Sequence, residues 1–217
     1  MRKARAVLFD FDLTLADSTL GAVECVNYAL GAMALPRAEP EAIRATIGFS
    51  LAATLASLTG LTEPALARDF SAHFVKRADL RMAELTSVFP EVAETLDRLK
   101  SAGIKAGIVS TKFRYRIETI LARQGLSEAF DVIVGGEDVM RHKPDPEGLV
   151  KAVDRLGMRP GDSLYVGDHP VDAEAAVAAG IPFAAVLTGA AVRSDFERWP
   201  DSAFLGSLRD LAPWLGL

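Results

Sequence analysis

The chain has 217 residues, 50% of them hydrophobic and 24% charged, with a formal net charge of −5 and one cysteine. That balance excludes a mainly disordered chain, and at this length folding buries roughly 70% of the unfolded surface without help from disulfides or a structural metal. The acidic excess without any Lys/Arg cluster argues against nucleic-acid and membrane-surface partners, and no stretch approaches the ~20 apolar residues of a membrane span.

The N-terminal Met1-Arg2-Lys3-Ala4-Arg5 is basic, but the apolar run after it stops at Asp10, unlike a signal peptide. Ala6-Val7-Leu8-Phe9 is a short continuous apolar run, as expected of a strand buried on both faces. From Ser18 to Leu85 no strand run stands out. The pattern predicts helices over about 18–33, 40–47, 50–59 and 63–84, punctuated by Pro36, Pro40, Gly48, Gly60 and Pro64. The stripe Leu66, Phe70, Phe74 and Val75 fits a helix packed on its neighbours. The lone Cys25 falls in the first of these helices and reads as a small buried apolar residue. One thiol makes neither an intramolecular disulfide nor a CxxC metal site, which fits a cytoplasmic protein.

Further along, apolar runs at 106–109, 132–134, 164–166 and 183–187 alternate with helical patterns. Residues 91–100 place Val92, Leu96 and Leu99 on one face; 114–124 place Ile117, Ile120 and Leu121 together; 147–156 group Leu149, Val150, Val153 and Leu156. The Ala-rich 171–179 ends at Gly180. Strand and helix in alternation predict right-handed βαβ units, hence an α/β fold. The expectation is a Rossmann-like parallel sheet of five or more strands flanked by helices, with a helical unit of about 65 residues inserted after the first strand.

Four features fall at the ends of predicted strands, the edge where open α/β sheets bind ligands. In Asp10-Phe11-Asp12-Leu13-Thr14 two carboxylates follow the first strand. They can hold a hard cation such as Mg²⁺, or divide nucleophile and proton donor between them, or simply cap the following helix. Ser110-Thr111-Lys112 places a hydroxyl and backbone N–H groups where an oxyanion can sit, or where an ordinary N-cap would. Lys143, before Pro144 and Pro146, is a loop ammonium able to neutralise phosphate. Gly167-Asp168-His169-Pro170-Val171-Asp172 again puts acids at a strand end; Asp168 can share a cation with Asp10, and Asp172 can support it or favour the helix dipole.

Taken together and in this order, these residues resemble the four motifs of the haloacid dehalogenase-like hydrolase superfamily along essentially the whole chain. The similarity is closest to its phosphoglycolate phosphatase and pyrophosphatase-like branch. The resemblance implies an α/β core domain over 1–16 and 85–217 and a helical type I cap domain over 17–84. It implies a Mg²⁺-dependent phosphatase of a small phosphorylated metabolite, a monomer or homodimer. By the same resemblance Asp10 is the nucleophile, Asp12 the general acid and base, Ser110 and Thr111 hold the phosphoryl oxygens, and Lys143 stabilises charge. Metal ligation is implied for Asp10, the Asp12 carbonyl and Asp168, with Asp172 in support. Asp12 favours phosphate over halide chemistry, since a halide leaves without a proton.

The chain departs from the family pattern in two places: Leu13, where Gly is commoner, and His169-Pro170 in place of a small polar pair. His169 reads as a half-exposed loop histidine within reach of a substrate. In the insert, Arg44, Gly48 and Lys76 are placed to meet a substrate, although Arg44 and Lys76 read better as solvated helix faces. Arg114 and Arg116, just after Lys112, can face the same cleft, although an exposed helix start is the better reading. Inorganic pyrophosphatase, phosphomutase and a non-catalytic binding module are the alternatives, the last expecting loss of at least one of Asp10, Asp12, Lys143 or Asp168, all of which are present. The tail 198–205 resembles a Pro-Asp stretch of the pyrophosphatase-like branch.

Overall fold

Four consecutive apolar residues, all fully buried, make β1 (Ala6–Phe9), the strand on which the molecule is organised. The computed structural model describes residues 4–217; Met1, Arg2 and Lys3 lie outside the described residues. After β1 the chain forms β2 (Ala16–Asp17), then α1 (Thr19–Ala32), α2 (Pro40–Arg44), α3 (Leu51–Thr59) and α4 (Pro64–Arg81). It returns through β3 (Ser87–Val88), whose antiparallel pairing with β2 closes the entry and exit of the helical segment into one ribbon. There follow α5 (Val92–Ser101), β4 (Lys105–Val109), α6 (Arg114–Arg123), β5 (Val132–Val134), α7 (Glu147–Leu156), β6 (Ser163–Gly167), α8 (Pro170–Ala178), β7 (Phe183–Val186), β8 (Ala203–Leu205) and α9 (Leu211–Leu215).

The six-stranded sheet runs β5-β4-β1-β6-β7-β8, and every pairing in it is parallel. The sixth strand, β8, lies within the tail; it is short and flanked by Pro200-Asp201, so it carried no strand signal of its own. Strand order reverses at β1, which puts the switch point of the sheet at its centre. One face is covered by α5, α6 and α9 through Val92, Leu96, Leu99, Ile117, Ile120 and Leu211. The other is covered by α7 and α8 through Leu149, Val153, Leu156, Ala173 and Ala176. Val150 does not join that face and is exposed: one step along a helix turns a side chain about 100° from Leu149.

Helices α1 to α4 have a core of their own, built from Val26, Ala29, Leu30, Ile43, Leu55 and Phe70. Of the expected stripe on α4 only Phe70 is fully buried. The loop between α1 and α2 is tied down by Asn27, whose amide donates to the Ala38 carbonyl and accepts from the Ala38 amide. Helix α2 stops at Arg44 rather than 47, and α4 at Arg81 rather than 84, with turns completing both spans. Cys25 is fully buried, and burial pushes its thiol up to about 11, as a packed apolar residue requires. Among the described residues no helix is long and apolar enough to cross a membrane.

Because the helical segment holds itself together through this small core, Leu30→Ala should cost about 2–5 kcal/mol. Denaturant unfolding followed by circular dichroism measures it; a loss below about 1 kcal/mol would show that Leu30 is not a core residue.

Candidate active site

Asp10 follows the last residue of β1, and its backbone N–H donates to the Val166 carbonyl (2.9 Å), so the edge between β1 and β6 fixes it. Its carboxylate is buried and lies 3.0 Å from Lys143 Nζ. The same ammonium donates to Asp172 Oδ1 (2.6 Å) and to the Tyr165 hydroxyl (3.1 Å). Tyr165 donates in turn to the Val109 carbonyl (2.9 Å), with Asp172 Oδ1 3.1 Å away. Asp172 stands in the first turn of α8, and its Oδ2 accepts the His169 N–H. Asp168, just past β6, accepts from Thr14 Oγ1 (2.9 Å). Tyr165 and Thr14 were legible only as parts of an apolar run and of the first motif; their partners lie far off in sequence.

Carboxylate oxygens of Asp10, Asp168 and Asp172 lie within 4.8 Å of one another, all buried. Glycines make the room: a Cβ at Gly189 would collide with Asp168, and one at Gly167 with Asp172. One ammonium faces these three carboxylates, and the electrostatics register the shortfall. Burial, aided by Asp172 and Asp12 and only partly offset by Lys143, pushes Asp10 up to about 6. Burial, then Asp172 and Asp10, raise Asp168 well above the carboxylate range. Lys143 is disfavoured by burial, yet Asp10 and Asp172 outweigh that and hold its charge firmly. A hard divalent cation fits this set: the donors are all oxygen, and two positive charges balance what Lys143 leaves over.

Asp12 stands apart from that cluster. Its Oδ1 pairs with Lys112 Nζ at 3.1 Å, and both side chains are almost wholly buried. Lys112 is the site residue that sequence reasoning missed, having been read only as part of a strand-end run. Ser110 is buried, its N–H bound to the Val134 carbonyl and its Oγ accepting from the Lys112 amide. Thr111 turns its hydroxyl toward the Gly48 carbonyl of the helical segment (3.5 Å).

Several other expectations change. Arg44 is not solvated: it donates to the Thr188 and Gly189 carbonyls beyond β7, tying α2 to the sheet. Arg116 is buried, donates to Asp79 (2.8 and 2.7 Å) and lies over the Phe113 and Tyr115 rings. Arg114 pairs with Asp138 and Glu118, whereas Lys76 is exposed as expected. His169 caps α8, its Nδ1 accepting from the Val171 N–H, and meets Phe49 edge-on at 5.1 Å. Burial holds its imidazole below the usual range. Leu13 adopts φ 58°, the left-handed region that costs a side chain roughly 1–2 kcal/mol and admits glycine freely.

A family model described as haloacid dehalogenase-like hydrolase matches residues 7–186. A phosphoglycolate phosphatase of Salmonella typhi is 33% identical over 238 residues, covering 100% of this chain and 94% of its own. One from Xanthomonas campestris pv. campestris is 35% identical over 189 residues, covering 87% of this chain and 86% of its own. The crystal structure of a haloacid dehalogenase-like protein of Bacteroides fragilis superposes with a TM-score of 0.93 at 41% identity, covering 96% of this chain and 100% of that one.

Burial raises Asp10 to about 6 and Asp168 well above the ordinary carboxylate range, so protons would compete with a cation bound there. A divalent cation should therefore raise the melting temperature above that pH, and the increment should shrink as pH falls through it. Calorimetry across pH with and without Mg²⁺ as the probe checks this; an increment that does not change with pH contradicts it.

Proposed function

The chain belongs to the haloacid dehalogenase-like hydrolase family, and we propose that it is a Mg²⁺-dependent phosphatase using Asp10 as nucleophile on the phosphomonoester of a small metabolite. The named relatives, phosphoglycolate phosphatases, support that reaction class, in which phosphoglycolate and sugar phosphates are the simplest substrates. The observation that carries it is a buried carboxylate at the sheet's switch point, gripped by a buried lysine inside a carboxylate cluster.

The residues divide the work as follows. An Asp10 oxygen attacks phosphorus as the ester P–O bond breaks, giving an aspartyl-phosphate. Asp12 hands a proton to the departing oxygen, then takes one from the water that attacks phosphorus and frees Asp10 and inorganic phosphate. Lys112, 3.1 Å from Asp12, keeps that carboxylate aimed and away from the cluster around Asp10. Lys143 orients Asp10 through its 3.0 Å contact and offsets phosphoryl charge. The Ser110 hydroxyl and the Thr111 amide receive phosphoryl oxygens. Asp10, the Asp12 carbonyl and Asp168 would hold Mg²⁺, with Asp172 in support; when bound it supplies charge neutralisation and holds the phosphoryl group in line. Thr14 and Tyr165 are positioning residues, fixing Asp168 and Asp172.

We assign residues 17–84 to a cap and 1–16 with 85–217 to the core. The separate core of α1 to α4 and the β2–β3 ribbon at the crossing support that division. The cap excludes water through Arg44, Gly48 and Phe49, which already touch the sheet edge. The single cysteine supports a cytoplasmic location, and we propose a monomer or homodimer.

Asp10→Asn should lower phosphate release on the order of 10³-fold or more. Asp12→Asn should cost about 10²–10⁴-fold on an alkyl phosphate and clearly less on p-nitrophenyl phosphate, whose leaving group needs no proton. Steady-state assays with Mg²⁺ check both. Retained turnover in Asp10→Asn contradicts the mechanism, and equal losses on the two esters contradict the role of Asp12.

A further inference from the structure

Beside the catalytic cluster an open cavity of about 480 Å³ lies between the helical cap and the strand-end loop of β4. It begins at Asp12, the group assigned to protonate the leaving oxygen, so a leaving alcohol extends into it. Its walls are largely apolar, with Val26, Ile47, Phe49, Leu51, Phe74 and Val75 among them. Two cations also line it, and neither is free. Lys112 is paired with Asp12, and Arg116 with Asp79 and the Val75 carbonyl. Arg116 is held by Asp79, and a two-carbon leaving group would leave most of the wall without contacts.

We propose that the preferred substrate is the phosphomonoester of a neutral alcohol with an apolar body of ring or branched-chain size, seated in this cavity. The inference rests on the phosphatase reading and selects within it, against phosphoglycolate, whose leaving group is small and carries a carboxylate. The cavity volume lies in the range that encloses compact organic ligands, and most of its wall rewards apolar contact. Each further buried methylene is worth roughly a fourfold gain in transition-state binding.

The test compares four esters under Mg²⁺: benzyl phosphate, 3-methylbutyl phosphate, 2-hydroxyethyl phosphate and phosphoglycolate. All four leave as primary alcohols once Asp12 protonates the departing oxygen, which keeps the chemical step comparable. The wild-type protein should show kcat/KM at least tenfold higher for the two apolar esters than for the other two. Ile47→Asn, which places an amide in the apolar wall, should reduce that preference at least fivefold. Faster turnover of phosphoglycolate than of benzyl phosphate overturns the inference and leaves the phosphatase reading standing. An unchanged preference in Ile47→Asn removes the cavity as its source and overturns it as well. No phosphate release from any ester overturns the phosphatase reading and this inference with it.

Discussion

One buried ammonium holds the centre of this molecule together. Lys143 Nζ lies 3.0 Å from Asp10 and 2.6 Å from Asp172, with the Tyr165 hydroxyl at 3.1 Å. Stripping a buried charge pair of one partner costs roughly 3–5 kcal/mol, because the remaining charge is stranded away from water. Asp10 and Asp172 are thus tolerable in the interior only while Lys143 is there, and Lys143 only because of them. The arrangement still leaves two negative charges over when Asp168 is counted, and that remainder is what a divalent cation answers.

The sheet supplies the positions. Asp10, Ser110 and Asp168 each follow the last residues of a parallel strand, and β1 lies between β4 and β6, so three strand ends converge on one point. Parallel pairing buries both faces, which leaves this edge as the place where polar groups gather. The second charge pair, Asp12 with Lys112, lines the cavity that the helical segment shares with the strand-end loop of β4. The helical segment meets this edge through Arg44 on two carbonyls, Gly48 on Thr111, Phe49 on His169, and Asp79 and the Val75 carbonyl on Arg116.

Local pattern made much of this legible. Buried runs such as Ala6–Phe9 and Leu164–Val166 announced parallel strands, and the acids immediately after them marked the ligand edge. β8 was not legible, because three residues after a Pro-Asp pair acquire strand character only by pairing with β7. Pair partners were invisible for a related reason. Thr14 finds Asp168 across 154 residues, and Arg44 finds Thr188 across 144; only the folded chain brings them within reach. Arg116 looked like a solvated helix start because charge alone cannot reveal that Asp79 and two aromatic rings await it. At Leu13 the sequence departure had a conformational meaning that composition could not disclose, namely a left-handed backbone.

The central claim is that Asp10 carries the phosphoryl group covalently while Lys143 and the carboxylate cluster hold it in place. Rapid acid quench of the enzyme during turnover with Mg²⁺, followed by borohydride reduction and peptide mass spectrometry, reads this directly. A reduced side chain at position 10, and at no other acidic residue, is the result the account predicts. Reduction at Asp12 or Asp168 instead, or turnover with no trapped adduct at any residue, would contradict it.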